Sequence, residues 1–199
     1  MLLYKFPSFY ELLFKLPPAL IWRKKAIKLL EKELKRMYLK PERILDVGCG
    51  IGSLTPLLRK LYPESEILGI DISSSMVNIA KKRYGNIALF KNLDFLDFKE
   101  KQDLIIIFRS FTFFKLLEIV FKIKEIMKPY GACIIATNTK APFSLIHKLI
   151  LSKFLSTDIW IYSPDDFYDL FPEKGWTINS RIISQFEGSF ILSIKNKNN

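Results

Sequence analysis

A glycine-rich turn directly after a short apolar segment is the feature that most constrains the fold. Arg43-Ile-Leu-Asp-Val47 has the character of a buried strand, and Gly48-Cys-Gly-Ile-Gly52 follows it without a linker. Glycine permits left-handed backbone and close approach of another group because it has no Cβ. A helical stretch, Ser53 to Leu61, comes next. This order is typical of an α/β sheet that binds a ligand above the carboxyl ends of its strands.

The rest of the chain alternates between strand-like and helix-like segments. Apolar spacing predicts further helices over 23–39, 74–84 and 113–128, and further strands over 66–70, 87–91, 104–108 and 132–137. Pro41 should stop the first helix, Ser73 or Ser74 should cap the one that follows the second strand, and Gly85 should end it in a left-handed conformation. Apolar strands that alternate with helices indicate a parallel sheet covered on both faces.

The last sixty residues have a different pattern. We expect helices over 144–155 and from Ser163-Pro-Asp-Asp166, and then two strands over 177–186 and 189–194. Because the strands are joined near Glu187-Gly188, they should form an antiparallel hairpin. The predicted fold is α/β, with a seven-stranded sheet that is mostly parallel, a C-terminal antiparallel hairpin and helices on both faces.

The length and composition favour one folded domain. The chain has 199 residues, of which 49% are hydrophobic and 26% charged, and this length is too short for two ordinary domains. We expect a single domain over 1–199, with an N-terminal helical cap (1–40), a cofactor-binding core (41–138) and a substrate-side part with the hairpin (139–199). Cys49 and Cys133 are too few for a disulfide framework, so the expected compartment is the cytoplasm. The only histidine, His147, has no metal-ligand spacing, and we predict no metal site.

The chain carries a formal net charge of +11. Residues 23–43 contain nine basic and three acidic residues, which is compatible with nucleic acid, with an anionic membrane surface or with a solvated helix face. Charged residues and prolines interrupt the apolar segments 1–22 and 104–121, so neither is expected to span a membrane. We expect the apolar lead-in and the basic helix to cap the acceptor pocket and to associate weakly with the inner face of the membrane, although packing on the core explains the lead-in equally well.

Three acidic positions follow successive predicted strands. Asp46 precedes the glycine turn, and Asp71 lies about twenty residues further on, where a carboxylate accepts both hydroxyls of a ribose. Asp94-Phe95 follows the third strand and is positioned to reach an adenine ring, with Asp97-Phe98 as the alternative. Each has a structural alternative: a turn without ligand, a helix-capping acid and a solvated loop carboxylate.

These segments resemble the class I S-adenosylmethionine-dependent methyltransferases. The similarity lies in Ile44 to Gly52, in Gly69-Ile-Asp-Ile-Ser73 with Met76, in Leu93-Asp94, and in Met127-Lys-Pro-Tyr-Gly131, where Tyr130 replaces a usual glycine. The resemblance implies a Rossmann-like fold and S-adenosyl-L-methionine as cofactor. A dinucleotide pyrophosphate would be repelled by Asp46. The cofactor-binding residues implied are Asp46, Gly48, Cys49, Gly50, Asp71, Ile72, Met76, Asp94, Phe95 and Arg109.

The acceptor is less constrained by the sequence. Arg109-Ser-Phe-Thr112 follows the fourth strand, where the family borders the methyl group, and the Asn/Asp-Pro-Pro-aromatic motif of base-amino methyltransferases is missing there. Several aromatic residues suggest an apolar acceptor pocket, namely Phe111, Phe113, Phe114, Phe143 and Phe154. Tyr10-Glu-Leu-Leu and Trp22 to Leu30 resemble the quinone C-methyltransferases of ubiquinone and menaquinone biosynthesis, so we expect a small, lipid-soluble acceptor such as a quinone precursor. The alternatives are an RNA methyltransferase, for which the nucleic acid would contact the basic surface, and a non-catalytic cofactor-binding domain. His147, Ser110 and Thr112 are candidates for a catalytic role.

Overall fold

The computed structural model describes residues 17–111, 114–138, 160–184 and 189–197. The helices are α1 (Pro17–Arg36), α2 (Thr55–Leu61), α3 (Ser74–Tyr84), α4 (Leu116–Ile126) and α5 (Asp165–Tyr168), with a short 3-10 helix at Phe95–Asp97. The strands are β1 (Arg43–Val47), β2 (Glu66–Asp71), β3 (Leu89–Asn92), β4 (Gln102–Phe108), β5 (Met127–Asn138), β6 (Trp176–Ser184) and β7 (Ser189–Asn196).

The seven strands form one sheet in the order β3-β2-β1-β4-β5-β7-β6. The pairs among β1 to β5 are parallel, whereas β7 runs antiparallel to both β5 and β6. The chain reverses its direction of strand addition between β3 and β4, so the carboxyl ends of β1 and β4 border a switch point where α/β sheets bind ligands. The predicted fold class is confirmed.

Side chains that alternate along the strands supply two cores, one on each face of the sheet. Ile44, Leu104 and Ile134 pack beneath α1, α2 and α3, while Leu45, Ile105 and Cys133 pack beneath α4, α5 and the 3-10 helix. This two-residue period places Asp46 on the same face as Ile44. The sheet is therefore covered on both sides, as continuous apolar strands require.

Helix α1 begins earlier than its apolar spacing predicts. Pro17 and Pro18 occupy its first turn, where proline is tolerated because the N–H groups there have no intrahelical acceptor. The helix ends at Arg36, ahead of Pro41, and Tyr38 follows with a φ of 50°. Buried Ala26, Leu30 and Leu34 face the sheet. The described side chains of α1 thus pack on the core, and its buried Glu33 forms an ion pair with Arg181 of β6.

Three sequence predictions about element ends are wrong. Gly85 has a φ of −63°, not a left-handed value, because its amide continues the helical pattern by donating to the Lys81 carbonyl. Helix α4 covers 116–126 instead of 113–128, and β5 begins at once with Met127 opposite Gln102. The Lys128-Pro-Tyr-Gly131 segment lies in an irregular part of that strand pair, where Tyr130 takes a φ of 58°. The predicted strand over 87–91 is found at 89–92, and the predicted helix over 53–61 begins at Thr55.

The C-terminal hairpin is confirmed, with β6 and β7 paired from Trp176↔Asn196 to Ser184↔Ser189. Helix α5 is a single turn in which the Asp166 carboxylate accepts from the Ser163 amide. The predicted helix over 144–155 and the joint at Glu187-Gly188 lie outside the described residues, as do residues 1–16, Thr112, Phe113 and His147. Among the helices that the structure describes, none is long and apolar enough to cross a membrane.

The packing of α1 predicts a large effect of shortening Leu30, whose side chain is fully buried between the helix and the sheet. Leu30→Ala should lower the free energy of unfolding by about 2–5 kcal/mol, since it leaves a cavity in a packed core. Urea unfolding followed by circular dichroism measures the change. Lys28→Ala, on the exposed side of the same helix, should change stability by less than about 0.5 kcal/mol. Equal effects of the two substitutions would contradict the docking of α1.

Candidate active-site cleft

A cleft of about 320 Å³ opens at the carboxyl ends of the central strands. Of the ten residues that the sequence singles out, eight line it: Gly48, Gly50, Asp71, Ile72, Met76, Asp94, Phe95 and Arg109. The other lining residues that the structure describes are Val47, Ile70, Leu93, Leu96, Phe108, Ser110, Phe114, Lys115, Glu118 and Trp160. Segments that follow β1, β2, β3 and β4 therefore meet at one site.

The glycine turn shapes the floor of this cleft. Gly48, Gly50 and Gly52 all have positive φ values, of 66°, 55° and 77°. A Cβ on Gly48 would lie 2.3 Å from Ser110 Cβ, so this glycine is needed for the packing of Ser110, whose hydroxyl donates to the Val47 carbonyl at 2.7 Å. A Cβ on Gly50 would meet no atom within 4 Å. The two glycines thus have different reasons, close packing at Gly48 and open space at Gly50.

Asp71 connects the turn to the next two elements. Its Oδ2 accepts from the Gly50 amide at 2.9 Å and its Oδ1 accepts from the Ser73 amide at 2.8 Å. Ser73 in turn caps α3 by accepting from the Met76 amide. Burial raises the pKa of Asp71, and the two amide bonds oppose that shift. The carboxylate both organises the turn and lines the cleft, so the ligand-binding and structural interpretations of this residue hold together.

Asp46 does not line the cleft, although the sequence predicts it as a ligand-binding residue. It is 3% exposed beneath the glycine turn, and no described residue donates to its Oδ2. Burial, and then the nearby charge of Asp71, raise its pKa to about 7. An unpaired buried carboxylate oxygen is costly, so this position stores unfavourable free energy directly below the site.

The other predicted residues divide between the cleft and the core. Cys49 is buried in the core under α1–α3 and does not line the cleft. Met76 and Phe95 are almost completely buried and form its inner wall. Asp94 is exposed at its edge, where its Oδ1 accepts from the Leu96 amide and starts the 3-10 helix. Ile72 is 52% exposed at the rim.

The opposite end of the cleft is both basic and aromatic. Arg109, with a φ of 65°, follows β4, and Lys115 lies beside Glu118, with Nζ and Oε1 3.6 Å apart. Phe114 packs edge-on against Phe95 with ring centroids 5.9 Å apart. The segment that carries Trp160 is held there by Tyr162, whose hydroxyl accepts from the Leu116 amide and donates to the Phe114 carbonyl.

The acceptor-side predictions are partly met. Phe114 and Ser110 line the cleft, but Phe111 is fully buried against Tyr162 and Phe167. Lys115, Glu118 and Trp160 were not singled out, because nothing local in the sequence marks residues that only the folded chain brings to the site. No described side chain from residues 23–40 lines the cleft.

Asp46 should make stability depend on pH. Its folded pKa of about 7 lies above the ordinary value of 3.8, so between these values the folded chain holds a proton that the unfolded chain has lost. Stability from this group is therefore present at low pH and falls as pH rises towards 7. Asp46→Asn should gain stability relative to the natural chain as pH increases from 4 to 7.5, by roughly 1–4 kcal/mol. Chemical unfolding at several pH values measures the difference, with exposed Asp97→Asn as the control. A constant difference across this range would contradict the assignment.

Comparison with known proteins agrees with the site. A family model described as a methyltransferase domain matches residues 39–174. A malonyl-acyl-carrier-protein O-methyltransferase of Priestia megaterium is 33% identical over 108 residues, which are 52% of this chain and 39% of that protein. The chain thus spans well under two thirds of that relative. A demethylmenaquinone methyltransferase of Thermotoga maritima is 24% identical over 184 residues, 79% of this chain and 77% of that one.

Solved structures show the same fold. The magnesium protoporphyrin IX methyltransferase of Synechocystis, crystallised with S-adenosylhomocysteine, superposes with a TM-score of 0.69 at 21% identity, over 88% of this chain and 84% of that one. The family match covers more than half of the chain and includes β1 to β5 with the whole glycine turn. The chain therefore belongs to the class I S-adenosylmethionine-dependent methyltransferases.

Proposed function

We propose that this enzyme methylates a small acceptor with an apolar body, such as a quinone precursor, which enters at the Phe114 and Trp160 end of the cleft. The observation that carries this proposal is the division of the cleft into an acidic end and an apolar, basic end. Asp71 and Asp94 lie at the first, and Phe114, Trp160 and Arg109 at the second. The similarity to a demethylmenaquinone methyltransferase over most of both chains supports a lipid-soluble acceptor.

The residues at the acidic end fit the cofactor. The free space above Gly50 would accommodate its methionine portion, because a side chain there would fill the same volume. Each oxygen of the Asp71 carboxylate accepts one amide bond and has a lone pair left for a ribose hydroxyl. We assign the adenine to the wall formed by Met76 and Phe95, with Asp94 at its edge. Asp46, buried and unpaired below the turn, would favour a positively charged ligand nearby.

When bound, S-adenosylmethionine supplies a methyl group on a positively charged sulfur. Methyl transfer depends mainly on in-line placement of the acceptor nucleophile. The chain's own contribution is therefore orientation: the Gly48–Ser110 contact fixes the floor, and the Phe95–Phe114 pair forms a rigid side wall. The apolar side chains also exclude water from the reacting atoms.

A second candidate acceptor is a carboxylate. Arg109 and Lys115 line the acceptor end and suit an anionic group. A carboxylate is already ionised at neutral pH and needs no general base. Among the described lining residues there is no histidine, cysteine or tyrosine, while Asp71 accepts two amides and Glu118 pairs with Lys115. The match to an O-methyltransferase of malonyl-acyl-carrier protein also supports this candidate.

The two glycines predict separable effects on cofactor binding and stability. Gly50→Ala should weaken binding of S-adenosylhomocysteine at least tenfold, because its methyl group would enter the space assigned to the cofactor. The free protein should lose only about 1–2 kcal/mol of stability from the positive φ. Gly48→Ala should cost more stability, since Ser110 must move. Isothermal titration calorimetry and urea unfolding measure the two quantities. Undiminished affinity in Gly50→Ala would contradict the cofactor assignment.

The acceptor class can be read from the fate of labelled methyl groups. Protein and methyl-tritiated S-adenosylmethionine are incubated separately with cellular lipid extract, aqueous small molecules and RNA. The proposal predicts label in the lipid extract that mild alkali does not release. Label released by alkali as methanol would identify a carboxylate, and Arg109→Gln should then reduce transfer at least tenfold while exposed Lys82→Gln does not. Label confined to RNA would contradict both candidates and leave the family assignment intact.

A further inference from the structure

A second groove, of about 400 Å³, lies at the opposite edge of the sheet. It is lined by residues 37–41, which connect α1 to β1, and by Asp103, Pro129, Tyr130 and Lys195. These residues stand at or near the amino ends of β1 and β4, whereas the methyltransferase cleft lies at their carboxyl ends. Since β1 alone has five residues, at about 3.3 Å each, the two sites are separated by roughly 17 Å or more.

Two tyrosines in unusual backbone conformations flank this groove. Tyr38 and Tyr130 have φ values of 50° and 58°, in the left-handed region that glycine adopts without penalty and that bulky residues avoid. Both rings are accessible, because Tyr38 is 90% exposed and Tyr130 54% exposed. Neither position gains core packing from an aromatic side chain. Strained residues that a fold does not require are concentrated at functional sites.

The groove is positively charged. Lys40 and Lys195 line it, and neither forms an ion pair with any acidic residue in the part of the chain that the structure describes. The one carboxylate of the groove, Asp103, is compensated by Lys128 Nζ at 3.0 Å and by the Arg43 amide at 2.9 Å. The lysines are therefore available to an anion.

We propose that this groove binds a nucleotide, either free or within single-stranded RNA. Exposed tyrosine rings are stacking surfaces for bases, and neighbouring lysines contact phosphate. In this assignment the base stacks on Tyr38 and Tyr130, and the phosphate lies beside Lys40 and Lys195. The site is independent of the acceptor of methyl transfer because it faces away from that cleft.

The test uses the full chain with two probes at low salt: a fluorescein-labelled oligouridylate of twelve nucleotides, followed by anisotropy, and adenosine monophosphate, followed by calorimetry. Tyr130→Gly and Tyr38→Asn place residues that accept left-handed backbone at the two positions. Both variants should keep or raise the midpoint temperature of unfolding and yet weaken binding at least fivefold, the loss of one stacking contact. Lys40→Gln with Lys195→Gln should also weaken binding and reduce its salt dependence.

Two matched controls are available. Phe121→Ala removes an equally exposed aromatic from α4, and Lys28→Gln removes an exposed charge from α1; neither should change affinity more than twofold. Binding of both probes through the groove identifies the nucleotide unit as the ligand, and binding of the oligonucleotide alone identifies RNA. The proposal is overturned if the natural chain binds neither probe, or if both tyrosine variants bind as tightly as the natural chain.

Discussion

The site depends on a single carboxylate that connects three segments of the chain. Asp71 accepts from the amide of Gly50 in the turn and from that of Ser73 at the start of α3. Its backbone carbonyl accepts from the Leu93 amide and from the side chain of Asn92. The ends of β1, β2 and β3 are thereby held in one arrangement before any ligand binds. Preorganisation of this kind reduces the ordering cost of binding.

Function and stability oppose each other below the turn. Asp46 and Asp71 are both buried, and mutual repulsion with desolvation raises the pKa of Asp46 to about 7. An apolar residue at position 46 would suit a core strand better, as the flanking Leu45 and Val47 show. Local departures from the packing rules of a fold are expected at functional sites. A ligand with positive charge, such as the cofactor of this family, would compensate these carboxylates.

The sequence predicted the fold and the cofactor end of the cleft well because both rest on local patterns. Apolar strands, the glycine turn and Asp71 follow one another at fixed spacing, and eight of the ten predicted residues line the cleft. Asp46 and Cys49 were assigned from their neighbours, but alternation along β1 and core packing direct them inward. Trp160 and Lys115 reach the cleft through long-range contacts such as that of Tyr162 with Leu116, which no local pattern encodes. The left-handed Tyr130 explains why glycine is usual at its position.

The central claim is that the cleft above Gly50 and Asp71 is the cofactor site. A crystal structure of the protein with S-adenosylhomocysteine tests it most directly. The account predicts the ribose hydroxyls within hydrogen-bond distance of the Asp71 carboxylate, the homocysteine portion above Gly50 and the adenine against Met76 and Phe95. A ligand bound elsewhere, or bound in this cleft with its ribose away from Asp71, would contradict it.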